Sequence, residues 1–333
     1  MQVSDYAILE KITNHLNFGE TAKEPQQVSG GFMHKMYKLE TTTGKYALKL
    51  LNPSIMKRED ALANFARAEQ LEEKLNENNI PIVAAIEIGG RKMQCVNGQY
   101  FYVFPWVEGS ALHWNEIKSE HCKIAGMLLA KIHKIERKEE HFYNMPLSVD
   151  WDSFIAMSKE RCPQITDILG ENRKLLYSAQ KAYNEALKSS SGLTCICDGD
   201  MDSKNVLWQN GKPLIIDLEC LDYGDPFLEM FRLALDWSGG VLCRIDFEAF
   251  RSFISAYMQE FGVFSVNWQA LSGIGFGWLE WLEYNIKRAL MIECTNRDEQ
   301  LLGVAQVLET VPRIVYYDSV REELLKQRNN LWK

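Results

Sequence analysis

Three side chains have the types and spacing that metal-assisted group transfer requires. Asp200 and Asn205 are separated by four residues, and Asp217 follows twelve residues after Asn205. A carboxylate can accept the proton of a reacting hydroxyl, while amide and carboxylate oxygens are suitable ligands for Mg²⁺. Phosphoryl transfer needs both a positioned nucleophile and neutralised phosphate charge. Asp200 is therefore the candidate base, and Asn205 and Asp217 are the candidate metal ligands.

The elements predicted around these residues would bring them together. An apolar run at 193–197 predicts a strand that leads into the loop. Runs at 206–208 and 214–216 predict two further strands, joined by a hairpin turn at Asn210-Gly211. Such a hairpin places the two candidate metal ligands side by side. The alternative is a surface hairpin, because Asp and Asn are common in turns, but the loop, hairpin and final acid in combination favour the catalytic interpretation.

This constellation resembles that of protein kinases, in which a base Asp, a metal-binding Asn and a metal-binding Asp after a hairpin occur in the same order. The chain resembles the aminoglycoside phosphotransferase and choline kinase-like family more closely. The catalytic loop of that family usually reads His-Gly-Asp-hydrophobic-x-x-x-Asn, and its metal loop reads Ile-Asp-Trp-Glu or similar. Here residues 198–205 read DGDMDSKN, residues 216–219 read IDLE, and residues 224–229 resemble the family's G-D-P-x-x-D turn.

Three positions depart from these patterns. Asp198 stands where the family usually has His, and Glu229 stands where it usually has Asp. An ionised Asp198 could not donate a hydrogen bond, and the nearby charge of Asp200 is expected to raise a carboxyl pKa. Asp202 occupies the position of the lysine that protein kinases carry two residues after the base. This change favours a small-molecule acceptor, and Asp202 is a candidate acceptor-binding residue.

The resemblance implies an α+β, two-lobed protein kinase-like fold. Residues 1–104 would form an N-terminal, nucleotide-binding lobe with an antiparallel five-stranded β-sheet and a helix. Residues 105–333 would form a larger, mainly α-helical C-terminal lobe that holds the catalytic and substrate-binding residues. The sequence pattern agrees, because predicted strands are concentrated before residue 105 and helical periodicity follows it. Within that helical part, His133 is assigned a structural role.

Two features of the first lobe are candidates for binding nucleotide phosphates. Gly30-Gly31 could let backbone N–H groups approach an anion, although most such pairs are ordinary turns. Lys49 lies in an apolar strand, where a lysine either faces solvent at a sheet edge or serves an inward function. In a kinase-like frame Lys49 resembles the lysine that contacts the α- and β-phosphates.

A carboxylate partner for Lys49 is expected on the helix predicted at 59–78. Glu69 is the choice, because it lies in the apolar arc of that helix, while Glu72 and Glu73 remain alternatives. A solvated helix face would account for all three glutamates.

The aromatic strand that ends this lobe resembles the hinge at which the family binds a purine through backbone groups. Phe104 and Trp106 are its candidate nucleotide-binding residues. An aromatic strand that closes the sheet is a compatible structural explanation.

An acceptor that carries an amine is suggested by charge and composition. The net charge is −8 at pH 7, which argues against nucleic acid or an anionic membrane as a partner. Acidic and aromatic side chains cluster in the second lobe and would suit an ammonium group through ion pairing and cation–π contact. The alternative is a helix core with solvated glutamates. The candidate residues are Asp236, Glu280, Trp281, Glu283 and Tyr284.

The eight cysteines include no CxxC pair, and neither a signal peptide nor a long apolar segment is evident, so a reducing cytoplasmic location is expected. The sequence thus predicts a Mg²⁺-dependent kinase that uses ATP or GTP and phosphorylates a hydroxyl of a small, amine-bearing acceptor. One alternative is a choline, homoserine or sugar kinase of the same fold. The other is a catalytically silent nucleotide-binding protein.

Overall fold

The computed structural model describes residues 3–28, 34–189, 191–262, 265–292, 294 and 296–327. The chain divides into two compact units. Unit 1 comprises residues 1–112 and 204–222, and unit 2 comprises residues 113–203 and 223–333. The sequence had suggested one break near residue 105, and the segment 204–222 had been expected with the helical part.

Unit 1 contains an antiparallel five-stranded sheet with the order β1-β2-β3-β5-β4, as the resemblance implied. A smaller sheet has the order β10-β9-β6. The elements of this unit are α1 (Val3–Leu16), β1 (Thr21–Val28), β2 (Lys35–Thr41), β3 (Lys45–Leu50), α2 (Pro53–Met56), α3 (Ala61–Glu77), β4 (Gln94–Val96), β5 (Gln99–Pro105), β6 (Ser110–Ala111), β9 (Val206–Gln209), a 3-10 turn (Leu218–Cys220) and β10 (Lys212–Ile215).

The core of unit 1 lies between α1 and the main sheet. Alternation along β2 turns Tyr37 and Leu39 inward, because successive side chains of a strand point to opposite faces. They pack with buried side chains of α1, β3 and β5, namely Leu9, Ile12, Leu16, Leu48, Leu50, Phe101 and Val103.

The hairpin of β9 and β10 belongs to unit 1 because it is hydrogen-bonded to the segment after α3. Ile215 donates its N–H to the carbonyl of Pro81 and accepts the N–H of Val83, both at 2.8 Å. Residues 80–83 and 86–88 form only isolated bridges, such as that from Ile82 to Ile215. Their apolar side chains pack, but their backbones do not pair in a continuous β-ladder.

Unit 2 is mainly helical. A small three-stranded sheet has the order β11-β8-β7. The elements of unit 2 are α4 (Ser119–Ile135), β7 (Arg137–Lys138), α5 (Trp151–Arg161), α6 (Thr166–Glu171), α7 (Arg173–Lys188), β8 (Thr194–Cys197), β11 (Asp222–Gly224), α8 (Pro226–Trp237), α9 (Phe247–Phe261), α10 (Trp268–Leu271), α11 (Trp278–Ala289) and α12 (Arg297–Gln327).

The start of α8 follows from its sequence. Asp225 caps the helix by accepting the N–H groups of Phe227 and Leu228, and Pro226 occupies the first turn, where its missing N–H is harmless. Among the described residues, no helix is both long enough and apolar enough to cross a membrane.

Candidate active site

In unit 1, the hairpin brings the two candidate metal ligands together. Asn210 and Gly211 both have positive φ, 52° and 76°, as a two-residue hairpin turn requires. Where the strands meet at their other end, Ile216 donates its N–H to the carbonyl oxygen of Asn205 at 2.9 Å. Asp217 is therefore next to a residue that is bonded directly to Asn205.

The backbone of Asp217 adopts the left-handed conformation, with φ 64° and ψ 53°. This region is unusual for a residue other than glycine and is often found at functional sites. Its carboxylate and the Asn205 amide could supply oxygen ligands, the donor type that Mg²⁺ prefers. Asn205 is buried, whereas the Asp217 side chain is about a third exposed.

Lys49 is buried and forms ion pairs with both Asp217 and Glu219. Burial alone would lower the pKa of Lys49, but the two carboxylates outweigh it and raise the pKa above its ordinary value. The lysine is thus held in its charged form. In the middle of β3, the side chain of Lys49 therefore points inward, as one of the two interpretations of the sequence expected.

Glu219 is also bound by a histidine. His34 Nε2 lies 3.1 Å from a Glu219 oxygen, and His34 Nδ1 accepts the N–H of Asn52 at 2.9 Å. Because Nδ1 is an acceptor, the ring proton belongs on Nε2, where it is donated to Glu219. Burial acts to raise the pKa of Glu219, but the His34 hydrogen bond and the Lys49 charge lower it to about 2. Glu219 is an anion that joins β3 and the residue before β2 to the metal loop.

The structure does not pair Lys49 with Glu69, the partner chosen from the sequence. Glu69 instead accepts the hydroxyl of Tyr102 at 2.7 Å and the N–H of Met93 at 3.2 Å. Burial and the adjacent carboxylate raise the pKa of Tyr102, so its hydroxyl remains a donor. The difference arises because Asp217 and Glu219 already surround the Lys49 ammonium.

The two alternative glutamates are not bound to Lys49 either. Glu72 is buried and pairs with Lys92 at 2.9 Å, and it also accepts the N–H of Ala85 at 3.2 Å. Glu73 lies 3.6 Å from Lys92. These carboxylates of α3 therefore anchor the segment that follows the helix.

Three of the four described nucleotide-binding candidates border one small cavity in unit 1. It has a volume of about 30 Å³, room for only one or two water molecules. The lining residues are Lys49, Phe65, Ala68, Glu69, Glu72, Ala85, Tyr102, Phe104, Asp217, Leu218 and Glu219.

The fourth described nucleotide-binding candidate, Trp106, does not line this cavity. Trp106 follows β5, and its backbone N–H donates to the carbonyl of Lys45 at 3.1 Å. Lys38 Nζ lies over its ring, 4.5 Å from the ring centroid. Gly30 and Gly31 lie outside the described residues.

In unit 2, the loop after β8 presents the candidate base. Asp200 donates its N–H to Asp198 Oδ1 at 3.2 Å, and Asp202 donates its N–H to the Asp200 carbonyl at 2.8 Å. Asp200 and Asp202 are both partly buried. The tight turn gives Asp200 a defined backbone conformation.

Asp198 is only 1% exposed. Within the part of the chain that the structure describes, its Oδ2 atom has no hydrogen-bond partner. Burial raises the pKa of Asp198 well above its ordinary value, and the nearby Glu229 raises it further. Burial thus favours the protonated, neutral form of Asp198.

Arg232 links two predicted site residues. Burial opposes its charge, but Glu229, Asp236 and Asp200 raise the pKa of the guanidinium above its ordinary value. The side chain of Arg232 is still 41% exposed. The candidate base and Asp236 thus both lie within electrostatic range of one arginine.

A buried cluster beneath the loop consists of His133, Cys197 and Glu229, whose potential ligand atoms all lie within 4.8 Å of one another. Hydrogen bonding explains this proximity, since His133 Nε2 lies 2.8 Å from Glu229. Burial raises the pKa of Cys197 well above its ordinary value, which favours the protonated thiol.

The predicted acceptor-binding cluster on α11 is partly committed to local contacts. Glu280 accepts the Tyr183 hydroxyl at 2.9 Å, and Glu283 pairs with Lys287 at 3.1 Å. Trp281 and Tyr284 are in ring contact, with centroids 5.5 Å apart.

Other protein groups also reach the two rings of this cluster. Trp281 donates to Gln306 at 3.0 Å, and Arg288 lies 5.4 Å above the Tyr284 ring. These contacts account for much of the cluster without any ligand.

Sequence reasoning missed Glu219 and His34 as partners of the Lys49 site, and Arg232 as the charge beside Asp200. A signal for Glu219 was present, because it lies two residues after Asp217 in the quoted metal-loop motif. The other two carried no local signal, since His34 and Arg232 reach their partners only through tertiary structure.

Comparison with known proteins places these features in context. A model of the phosphotransferase enzyme family (APH) matches residues 24–274. No protein of curated function matches the sequence.

Several solved structures share the fold. Spectinomycin phosphotransferase in complex with ADP and spectinomycin is 14% identical, with a TM-score of 0.67 over 96% of this chain and 99% of that one. Amicoumacin kinase in complex with AMP-PNP, Ca²⁺ and Ami is 10% identical, with a TM-score of 0.59 over 92% and 93%. Choline kinase from Cryptosporidium parvum Iowa II is 13% identical, with a TM-score of 0.51 over 96% of each chain. These likenesses establish the kinase-like fold.

Proposed function

Because the chain belongs to the phosphotransferase enzyme family, we propose that it transfers the γ-phosphate of ATP or GTP to a hydroxyl of a small, amine-bearing acceptor. The observation that carries the proposal is the ion pair between Lys49 and Asp217. It joins a buried cation suited to phosphate oxygens with a carboxylate suited to Mg²⁺. Related structures contain ADP, or AMP-PNP with Ca²⁺, which agrees with a nucleotide cofactor.

Each residue has a role in this proposal. Asn205 and Asp217 would hold Mg²⁺, which, when bound, neutralises charge on the phosphates. Lys49 would contact phosphate oxygens, with Glu219 holding its ammonium in place. Asp200 would orient the acceptor hydroxyl and accept its proton, which requires a hydrogen bond between the carboxylate and that hydroxyl.

The cationic nature of the acceptor rests on charge. The chain carries a net charge of −8, and Asp202 and Asp236 are partly buried acids in the same unit as Asp200. Glu280 and Glu283 would contribute only by exchanging their present partners, Tyr183 and Lys287, for the acceptor. An amine-bearing acceptor would gain from such a surface, and salt should weaken that gain.

The test is a turnover screen with MgATP and MgGTP across hydroxylated amines, choline, homoserine and neutral sugars, with phosphate transfer to the acceptor as the readout. We expect transfer to at least one amine. Nucleotide binding without transfer to any acceptor would instead support a silent nucleotide-binding protein. Efficient transfer to neutral sugars alone would contradict the amine preference.

A second measurement addresses the acceptor-binding residues. The KM of the amine acceptor is measured at low and high salt for the parent, Glu280→Gln and Glu283→Gln, with Glu160→Gln, an exposed glutamate of α5, as the matched control. A KM that neither salt nor either α11 substitution changes would return this cluster to a purely structural role.

A further inference from the structure

A series of hydrogen bonds and ion pairs in unit 1 runs from the start of α2 to the buried lysine of β3. The backbone N–H of Asn52 donates to His34 Nδ1 at 2.9 Å, and His34 Nε2 lies 3.1 Å from Glu219 Oε1. The other carboxylate oxygen of Glu219 pairs with Lys49 Nζ, which also pairs with Asp217. His34 and Lys49 are both buried. Each group in the series therefore restricts the orientation of the next.

The end of this series at α2 is fixed by a helix cap. Asn52 is the N-cap residue of α2, and its side chain accepts the N–H of Ser54 at 2.9 Å. Its carbonyl oxygen accepts the N–H groups of Ile55 and Met56 at 3.0 and 3.1 Å. The backbone N–H that faces His34 thus belongs to a turn with its own hydrogen bonds. Since Nδ1 is the acceptor in this contact, the ring proton lies on Nε2 and is directed at the metal-loop carboxylate.

The two anions beside Lys49 differ in what else they would bind. Asp217 is the proposed ligand of Mg²⁺, and a carboxylate that binds a metal is less available to the ammonium. A buried ammonium that loses its anion is costly. Glu219 is the second anion, and His34 holds one of its oxygens so that the other faces Lys49. Glu219 would therefore keep Lys49 paired and oriented while Asp217 serves the metal.

The glutamates of α3 do not take this part. Glu69 accepts the hydroxyl of Tyr102 at 2.7 Å, and Glu72 pairs with Lys92 at 2.9 Å. Both carboxylates are thus engaged by groups other than the lysine of β3, which leaves the metal loop as the source of its partners.

We propose that His34 is a positioning residue for Lys49, acting through the carboxylate of Glu219. This inference rests on the proposed function, in which Lys49 contacts the phosphates of a nucleotide. His34 does not need to touch the nucleotide itself. Because Lys49 is the group whose direction it sets, the loss of His34 would weaken the binding of the phosphates and leave the binding of the nucleoside nearly unchanged.

Three substitutions separate the contacts of this series. His34→Leu keeps much of the side-chain volume and removes both ring nitrogens. His34→Gln places an amide N–H near the position of Nε2, so it can still donate to Glu219. Glu219→Gln removes the anion and leaves the bond between His34 and Asn52 in place, so it carries the same test if His34→Leu does not fold. The matched control is His15→Leu, which changes an exposed histidine in the last turn of α1 in the same unit.

The readout is the dissociation constant of MgATP and, in parallel, that of adenosine, both from calorimetric titration of the full chain. For His34→Leu and Glu219→Gln we expect the constant for MgATP to rise by about tenfold or more, with that for adenosine within about twofold of the parent. His34→Gln should bind MgATP much more tightly than His34→Leu, and His15→Leu should change neither constant. A role in folding alone would weaken MgATP and adenosine alike, because both ligands need the same folded unit.

Three outcomes would overturn the inference: a MgATP affinity in His34→Leu and Glu219→Gln that matches the parent, an equal loss of affinity for adenosine and MgATP, or a loss in His34→Leu that His34→Gln does not reduce. A parent protein that binds neither MgATP nor MgGTP is a different failure. It would remove the proposed function and, with it, the premise of the positioning role.

Discussion

Lys49 and Asp217, which are 168 residues apart in the sequence, form an ion pair at the edge of a small cavity in unit 1. Glu219 binds the same ammonium from the next turn of the metal loop, and His34 binds Glu219. Strand β3 and the residue that precedes β2 are thereby joined to the loop that carries a candidate metal ligand. The arrangement holds one cation between two anions at the place where we propose that a Mg²⁺–nucleotide binds.

The ion pair predicts an unequal response of two lysines on β3. Lys49→Met would leave Asp217 and Glu219 facing each other without a cation and should lower the free energy of unfolding by roughly 2–4 kcal/mol. Lys45→Met is the matched control, because Lys45 pairs with Glu108 in solvent, with 51% and 64% of the two side chains exposed. The control should have little effect. Urea unfolding of both variants measures the difference, and equal losses would contradict a special role for Lys49.

Removal of the metal-loop carboxylate should act on binding. In Asp217→Ala we expect Mg²⁺-dependent nucleotide affinity to fall by at least about tenfold, since a charged contact is worth more than about 1.4 kcal/mol. Affinity without Mg²⁺ should change much less. Calorimetric titration with ATP, with and without Mg²⁺, checks this, and Asp222→Ala in the same segment serves as a control. A variant that keeps the parent's full Mg²⁺ dependence would exclude Asp217 as a ligand.

Asp198 predicts a pH-dependent difference in stability. Its pKa in the folded state lies well above the ordinary value of 3.8. The folded state therefore binds this proton more tightly than the unfolded state, and the stability it contributes is complete below 3.8 and is lost as pH rises through the folded pKa. Asn does not titrate and resembles the protonated acid.

Asp198→Asn should thus gain in Tm relative to the parent as pH increases from about 4 to about 8. Thermal unfolding of both proteins across that range measures the gain. A Tm difference that stays constant with pH would show that Asp198 is already ionised in the folded state.

Much of the fold could be predicted because local signals were strong. The Asn210-Gly211 and Asn97-Gly98 pairs predict tight hairpin turns, and all four residues have positive φ. These turns depend on neighbours in the chain, so spacing and residue type are sufficient to locate them. The five-stranded sheet was instead implied by the resemblance to the family, because its strand order joins segments that are far apart in the sequence.

The segment 268–289 does not form one continuous helix, for a reason that lies outside the segment. It is divided into α10, a 3-10 segment over Ser272–Gly277, and α11. At Gly275, a Cβ atom would lie 2.1 Å from a ring carbon of Tyr317 on α12. The glycines there let another helix approach closely. This is a requirement of tertiary packing, and the helical periodicity of the sequence does not reveal it.

The partner of Lys49 was missed for a similar reason. Glu69 lies on the expected face of α3, yet Tyr102 and Met93 use it. Which carboxylate reaches the lysine depends on the long-range placement of the metal loop, and Glu219 is 170 residues from Lys49. Motif spacing located the acids but could not choose between them.

We propose that Asp200 accepts or orients the reacting hydroxyl in a Mg²⁺-dependent transfer from a nucleotide. The sharpest test of this role is Asp200→Asn, measured for phosphate transfer to the best acceptor and for nucleotide affinity in parallel. We predict that kcat falls by about 10²- to 10⁴-fold, while the dissociation constant of MgATP stays within about twofold, because the amide preserves shape but cannot accept the proton. An Asp200→Asn enzyme that transfers phosphate at the parent rate would contradict the account.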